Sequence, residues 1–327
     1  MLFRSQSTLA GTGAAVSVVV PVYNSERTIE ELCTRLTATL KACGVGYEII
    51  LVNDGSSDRS WERIHQCVQK FEHIRGFDFM RNYGQHNALL CGIRMASHDI
   101  TVTLDDDLQN PPEEIPVLLG YLTPDVDVIY GRPDVEQHGF WRDAASQLTK
   151  LALQRAMGAE TARHISAFRV FRTHLREAFA DYRGSFVSID VLLTWSTTHF
   201  KSIRVKHLPR QAGESNYTVR QLTTHALNIV TGFSTLPLRI ASLVGFSFTF
   251  FGVTVLLFVL LRVLLEGTPV PGFAFLASII AIFSGAQLFS IGIIGEYLAR
   301  MHFRAMDRPP YVIQDQAESP VESVKPH

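Results

Sequence analysis

Cysteine is scarce in this 327-residue sequence: only Cys33, Cys43, Cys67 and Cys91, with no CxxC pair among them. That spacing gives no disulfide framework and reads as reduced cytosolic thiols used mainly in packing. The twelve histidines are scattered and form no HExxH, which removes the usual sign of a zinc site. Charge of one sign is also lacking. Thirty Lys and Arg against 31 Asp and Glu leave a net charge of −1, so no bulk electrostatic signal points to nucleic acid. There is no Walker A pattern and no internal repeat. The glycines of "GTGAA" (Gly11 to Ala15) precede the first predicted strand instead of following it, so the dinucleotide fingerprint fails. The opening "MLFRSQSTLAGTGAA" has no long apolar run and does not read as a secretory signal peptide.

Two long stretches lack charge altogether. Ile240 to Leu261 is 22 residues without a charged side chain, and Gly267 to Gly295 is 29 more, with Phe273 to Ile294 as its apolar core. At about 1.5 Å per residue, a 22-residue helix reaches roughly 33 Å, the thickness of a bilayer core. Two membrane spans are expected over about 240–261 and 273–294, the alternative being a pair of helices buried in a soluble domain. Arg239 precedes the first span and Arg300, Arg304 and Arg308 follow the second, while the link carries only Arg262. The positive-inside rule then places both outer flanks, and the large N-terminal region, in the cytoplasm. Before the spans, Leu222, Ala226, Ile229, Val230 and Phe233 share a helical face. They suggest an amphipathic interfacial helix over 219–237, or else a core helix. The layout is a flexible start (1–15), a large cytoplasmic domain (16–218), that helix, the two spans within 238–300 and a cytoplasmic tail (301–327). The polar, Pro-containing end from Gln314 is expected to be disordered.

Upstream, strand patterns alternate with helix patterns. "VSVVVPVYN", "YEIILVND", "IRGFDFM", "DITVTLD" and "VDVIYG" read as strands. Ile29, Leu32, Leu36 and Leu40, then Trp61, Ile64, Val68 and Phe71, recur at helical spacing, and Gln85 to Ala96 looks helical. The pattern predicts an α/β, Rossmann-like, mostly parallel sheet covered by helices. Ligands bind such sheets outside the carboxyl ends of the strands, where "PVYN", "NDGSSD" and "DDDLQ" all fall.

The three aspartates carry the sharpest signal. On extended chain, side chains alternate, so Asp105 and Asp107 share one side, continued by Gln109 if the chain stays extended, and Asp106 takes the other. Two carboxylates and an amide oxygen make an oxygen-only set suited to Mg²⁺ or Mn²⁺. The alternative is an acidic loop capping the helix after Pro111. Asp54 is placed to accept hydrogen bonds from a nucleobase or ribose, or to cap the next helix. Tyr23 is placed to pack on a base or in the core.

"VSVVVPVYNSE", "EIILVNDGSSD", "RNYGQHNALLCGI" and "TLDDDLQNPPEEIP" together resemble glycosyltransferase family 2, the inverting GT-A fold. With two C-terminal spans, the order of motifs over residues 16 to 313 is similar to the polyprenyl-phosphate glycosyltransferases. The resemblance implies that Asp105, Asp107 and Gln109 bind a divalent metal and that Pro21, Tyr23, Val52 and Asp54 line the nucleoside pocket. Asn24 and Arg81 join that pocket. The family's usual Glu falls at Ser25 here with Glu26 next to it, which leaves two candidates, Ser25 and Glu26, for the ribose. Asp106 is grouped with the nucleotide side, at a position tolerant of change.

For the lipid acceptor, the resemblance implies Arg132, Arg142, Ser146, Arg169 and Arg210 as phosphate contacts. Arg142 and Ser146 are four apart and so share a helical face. Asn216 stands where the family's Gly-Glu-Ser-Lys-Tyr segment has Lys, a departure that Arg210 is expected to offset. Some relatives carry an Asp where Ala167 stands, so no general base is assigned. The implied reaction moves a sugar from a nucleotide-sugar, a UDP-sugar by expectation, to undecaprenyl phosphate, for cell-envelope glycan or lipid A modification. The implied assembly is a homo-oligomer, a tetramer by resemblance. Two other functions compete: a processive polysaccharide synthase, disfavoured because no Trp follows an Arg as its Gln-x-x-Arg-Trp motif needs, and a non-catalytic membrane scaffold.

Overall fold

The computed structural model describes residues 14–133, 165–184, 187–208, 236–266 and 272–318. They fall into two units, one built from the N-terminal part together with the segment from Arg308, the other covering Thr223–Asp307.

The first unit is one eight-stranded mixed sheet, ordered β7-β5-β6-β4-β1-β2-β3-β8. Its strands are β1 (Val16–Val22), β2 (Tyr47–Asn53), β3 (Ile74–Phe79), β4 (Ile100–Thr103), β5 (Val128–Pro133), β6 (Arg169–Arg172), β7 (Phe200–Val205) and β8 (Ile313–Glu318). The helices are α1 (Ile29–Cys43), α2 (Ser60–Lys70), α3 (Gln85–Met95), α4 (Ile115–Leu119) and α5 (Ile189–Ser196). β1 and β2 are buried along their whole length, which is why they read as mostly apolar runs, interrupted by Ser17, Glu48 and Asn53. The helical spacing holds: Ile29, Leu32, Leu36 and Leu40 are all in the core. Gly44, in the left-handed region at φ 66, ends α1 and turns the chain toward β2.

β4, β1, β2 and β3 run parallel, while β6 is antiparallel between β4 and β5. Strand order reverses between β1 and β4, which makes that junction the switch point of the sheet. β4 pairs with β1 only as far as Val19–Thr103. Pro21 therefore lies past the end of β4, where no ladder bond needs the N–H that proline lacks. Beyond it the ladder between the two strands ends, at the place where sheets of this kind form a ligand crevice outside the strands' carboxyl ends.

The tail departs from expectation. Residues 313–318 are not disordered but form β8, which pairs antiparallel with β3 from Arg75–Glu318 to Phe79–Ile313. Tyr311 stacks on Phe79 with ring centroids 5.1 Å apart, and Met80 N–H donates to the Val312 carbonyl at 3.0 Å. The polar composition that suggested disorder belongs to an edge strand with solvent on one side. The first unit is thus discontinuous in sequence, taking in the segment from Arg308 as well as the N-terminal part.

The second unit holds two long helices, α6 (Leu236–Glu266) and α7 (Phe273–Ala305). Within them, Leu238–Arg262 and Ile282–Ala299 are apolar and long enough to cross a membrane, and apart from Ala241 their described side chains are not buried. Phe246, Phe250 and Leu264 are 76%, 77% and 85% exposed. A helix apolar on all sides without being buried does not belong to a soluble core, so the buried-pair alternative falls. The helices pack antiparallel through an edge-to-face contact of Phe248 with Phe283. Gly252 lets Phe283 approach to where a Cβ would lie 2.7 Å from its ring. The interfacial helix expected at 219–237 lies almost wholly outside the described residues.

Candidate active site

The crevice at the β1–β4 junction gathers the sequence's polar clusters. β4 ends at Thr103, and the chain turns at Asp106 and Asp107. Leu108 is fully buried with φ 60, a conformation bulky residues rarely take. The chain is therefore not extended through Gln109, and simple alternation does not govern the three aspartates. The loops they face separate them instead. Asp105 Oδ1 accepts from Gln85 Nε2 at 2.6 Å, at the start of α3. Asp106 Oδ2 accepts from the Tyr23 N–H at 3.0 Å, across the crevice from β1. Asp107 Oδ1 accepts from the Gln109 N–H at 3.1 Å, within its own loop. The loop is moored by the Leu208 N–H on the Gln109 carbonyl at 2.8 Å and by Asn110 against His207.

Asp106 is thus not an idle neighbour at a tolerant position. Burial pushes its carboxyl up to about 6, against the pull of hydrogen bonds from the Ser25 hydroxyl and the Tyr23 N–H. It fastens the β1 loop to the β4 loop.

That β1 loop is itself held by side chains after β2. Asn24, at φ 53, receives Ser57 N–H on its Oδ1 at 2.9 Å and donates its own N–H to Ser56 Oγ at 2.9 Å. Ser25 N–H donates to Ser60 Oγ at 2.8 Å. Glu26 Oε2 accepts from the Arg59 N–H at 3.2 Å and so serves the start of α2. Of the two residues in the family's Glu place, Ser25 turns toward the aspartates and Glu26 turns to α2. Tyr23, 48% exposed, presents its ring to solvent at the crevice.

Asp54 is buried at the end of β2, and burial pushes its carboxyl up to about 6. Its two oxygens accept from Tyr83 N–H at 2.7 Å and Gly84 N–H at 2.9 Å. It holds the β3–α3 loop, on which exposed Arg81 stacks over the Tyr83 ring at 4.5 Å. Val52 departs from its expected place: it is fully buried inside β2 and shapes the site only from behind.

Arg132 stands at the end of β5, half-buried, paired in register with Arg204 of β7. Arg169 does not stand where a lipid phosphate is expected. It is 2% exposed, with its guanidinium on Asp190 Oδ1 at 2.6 Å, and Tyr130 Oη donates to the same oxygen at 2.9 Å. A guanidinium already paired in the core has no route to an external phosphate. Arg142, Ser146 and Arg210 lie outside the described residues, as does Asn216.

Among the described residues, no three His, Cys, Asp or Glu side chains close into a metal cage. The donor set still suits a hard divalent cation. Asp105 and Asp107 offer only oxygens, the donor atoms that a hard divalent cation takes. Mg²⁺ is usually held by one or two carboxylates, with substrate phosphates filling its shell. Sequence reasoning missed Gln85. It lies in the quoted "RNYGQHN" segment, but only the position beside an acidic strand end reveals its partner.

A mixed sheet of GT-A type, with carboxylates just after β4 and an aromatic just after β1 at its switch point, is the class the fold and site define. Residues 17–183 match Glycosyl transferase family 2. An undecaprenyl-phosphate 4-deoxy-4-formamido-L-arabinose transferase from Pseudomonas paraeruginosa is 37% identical over 302 residues, 91% of this chain and 89% of that one. The protein of the same name from Shewanella sediminis is 35% identical over 92% of both chains. Among solved structures, mannosyl-3-phosphoglycerate synthase from Rubrobacter xylanophilus aligns with a TM-score of 0.50 at 16% identity, over 67% of this chain and 72% of that one, a likeness of fold. The chain belongs to glycosyl transferase family 2 and is a glycosyltransferase.

Proposed function

We propose that this glycosyltransferase moves a sugar from a nucleotide-sugar, a UDP-sugar, to undecaprenyl phosphate at the cytoplasmic face of the inner membrane, for cell-envelope glycan or lipid A modification. The observation that carries this reading is the match, along nine-tenths of the chain, to relatives named for transfer to that lipid phosphate. The two unburied apolar helices support it, since they would keep the enzyme beside a lipid substrate.

In this reading Tyr23 packs on the base, with Pro21, Asn24 and Ser25 beside it. Asp54 fixes the loop that presents Arg81. Asp105, Asp107 and Gln109 would hold Mg²⁺ or Mn²⁺, which when bound supplies charge neutralisation for the leaving nucleoside diphosphate. Arg132 receives the lipid phosphate together with Arg142, Ser146 and Arg210, because arginine forks suit phosphate oxygens. The phosphate attacks the anomeric carbon from the face opposite the leaving group and inverts it. A phosphate monoester, with a second pKa of about 6, is already mostly ionised at neutral pH, so no side-chain base is needed. The protein works as a homo-oligomer.

The test is a donor screen with full-length protein, undecaprenyl phosphate and a panel of UDP- and GDP-sugars, reading product mass. A single UDP-sugar should give a lipid-linked product. Transfer only from GDP-sugars would refute the donor assignment.

A further inference from the structure

We infer that Gln85 is a positioning residue for the reaction: its amide holds the Asp105 carboxylate in the orientation that a divalent cation needs. The inference rests on the metal reading proposed above.

Gln85 is the first residue of α3, and the backbone before it is fixed from several sides. Asp54 clamps Tyr83 N–H and Gly84 N–H on its two oxygens. Asn87 closes the turn, its N–H on the Gly84 carbonyl at 2.9 Å and its Nδ2 on the Tyr83 carbonyl at 2.6 Å. Gly55, at φ 62, lies so close to the backbone of Arg81 and Asn82 that no Cβ fits there. With its backbone pinned, Gln85 delivers Nε2 to Asp105 Oδ1 at 2.6 Å.

The chemistry of the amide matters. An ionised carboxylate only accepts hydrogen bonds, so the amide nitrogen faces it. A neutral donor orients the carboxylate without bringing a positive charge against the incoming cation, as Lys or Arg would. Outer partners of this kind are worth about 10–100-fold in metal affinity. The "RNYGQ" segment thereby becomes a bridge from Asp54, at the end of β2, to Asp105, beyond the end of β4. It ties the nucleoside side of the crevice to the metal side.

The test is Mn²⁺ titration of the full-length, detergent-solubilised protein by electron paramagnetic resonance, with melting temperature measured alongside. Wild type, Gln85→Met, Gln85→Ala and Asp107→Ala are compared. The expected result is Mn²⁺ affinity about 10–100-fold weaker in both Gln85 variants, at an unchanged melting temperature, with Asp107→Ala at least as impaired. Gln85 variants that bind Mn²⁺ like wild type, while Asp107→Ala does not, would overturn this inference and leave the metal reading standing. A wild type that binds no Mn²⁺ would overturn both.

Discussion

At the three aspartates the backbone turn, not strand alternation, divides the roles. Asp105 meets α3, Asp107 stays with its own loop, and Asp106 ties down Tyr23. Asparagine keeps an acceptor for the Tyr23 N–H, so Asp106→Asn should retain transfer within about tenfold. Asp105→Ala and Asp107→Ala should each lose at least about 100-fold, the scale of removing one charge-stabilising group. Asp106→Ala strands a backbone donor and should also lower stability by about 1–3 kcal/mol. Kinetics and melting of the four variants decide this, and equal activity losses in all four would remove the division.

A second residue-scale prediction concerns Glu48, buried at the other end of the sheet. Burial raises its carboxyl, but hydrogen bonds from the Ser17 hydroxyl and from the Ser97 hydroxyl and N–H, each at 2.6 Å, outweigh it and leave the group below its ordinary 4.5. A lowered folded value means stability that is present above pH 4.5 and is lost as pH falls through the folded value. Wild type should therefore melt progressively lower as pH drops below about 4.5. Glu48→Gln should be less stable at pH 7 by roughly 1–3 kcal/mol, with a flatter profile below.

At the scale of elements, the strands and helices of the first half were legible because their burial leaves clear periods. β1 and β2 are buried along their whole length and mostly apolar, and α1 and α2 repeat at helical spacing. What escaped was long-range pairing. β8 is polar on its own, and only its distant partner β3 makes it a strand. Arg169 looked like a phosphate ligand from its motif, yet Asp190 and Tyr130 claim it across 21 and 39 residues of sequence. The crevice residues were legible because they follow strand ends, whereas Gln85 was not, since nothing local marks its partner. A chain cut before Tyr311 would lose β8 and the Phe79 stack, exposing the edge of β3. Such a protein should melt lower and aggregate more in size-exclusion chromatography; unchanged behaviour would show that β8 adds nothing to the sheet.

For the molecule as a whole, a soluble-type α/β unit and a pair of helices apolar on every side are carried on one chain, which returns to the sheet after the second helix. The protein should stay with the membrane pellet after alkaline carbonate extraction, and release into the supernatant would argue against spanning helices. The central claim is sugar transfer to a lipid phosphate, and incubation of the membrane-bound enzyme with undecaprenyl phosphate, a UDP-sugar panel and Mn²⁺, read by mass spectrometry of the extracted lipid, tests it most directly. The expected product is a new lipid with the mass of one sugar added through its phosphate, absent with chelator and with Asp107→Ala. A wild-type enzyme that leaves the lipid unchanged with every donor, or a product undiminished in Asp107→Ala, would contradict it.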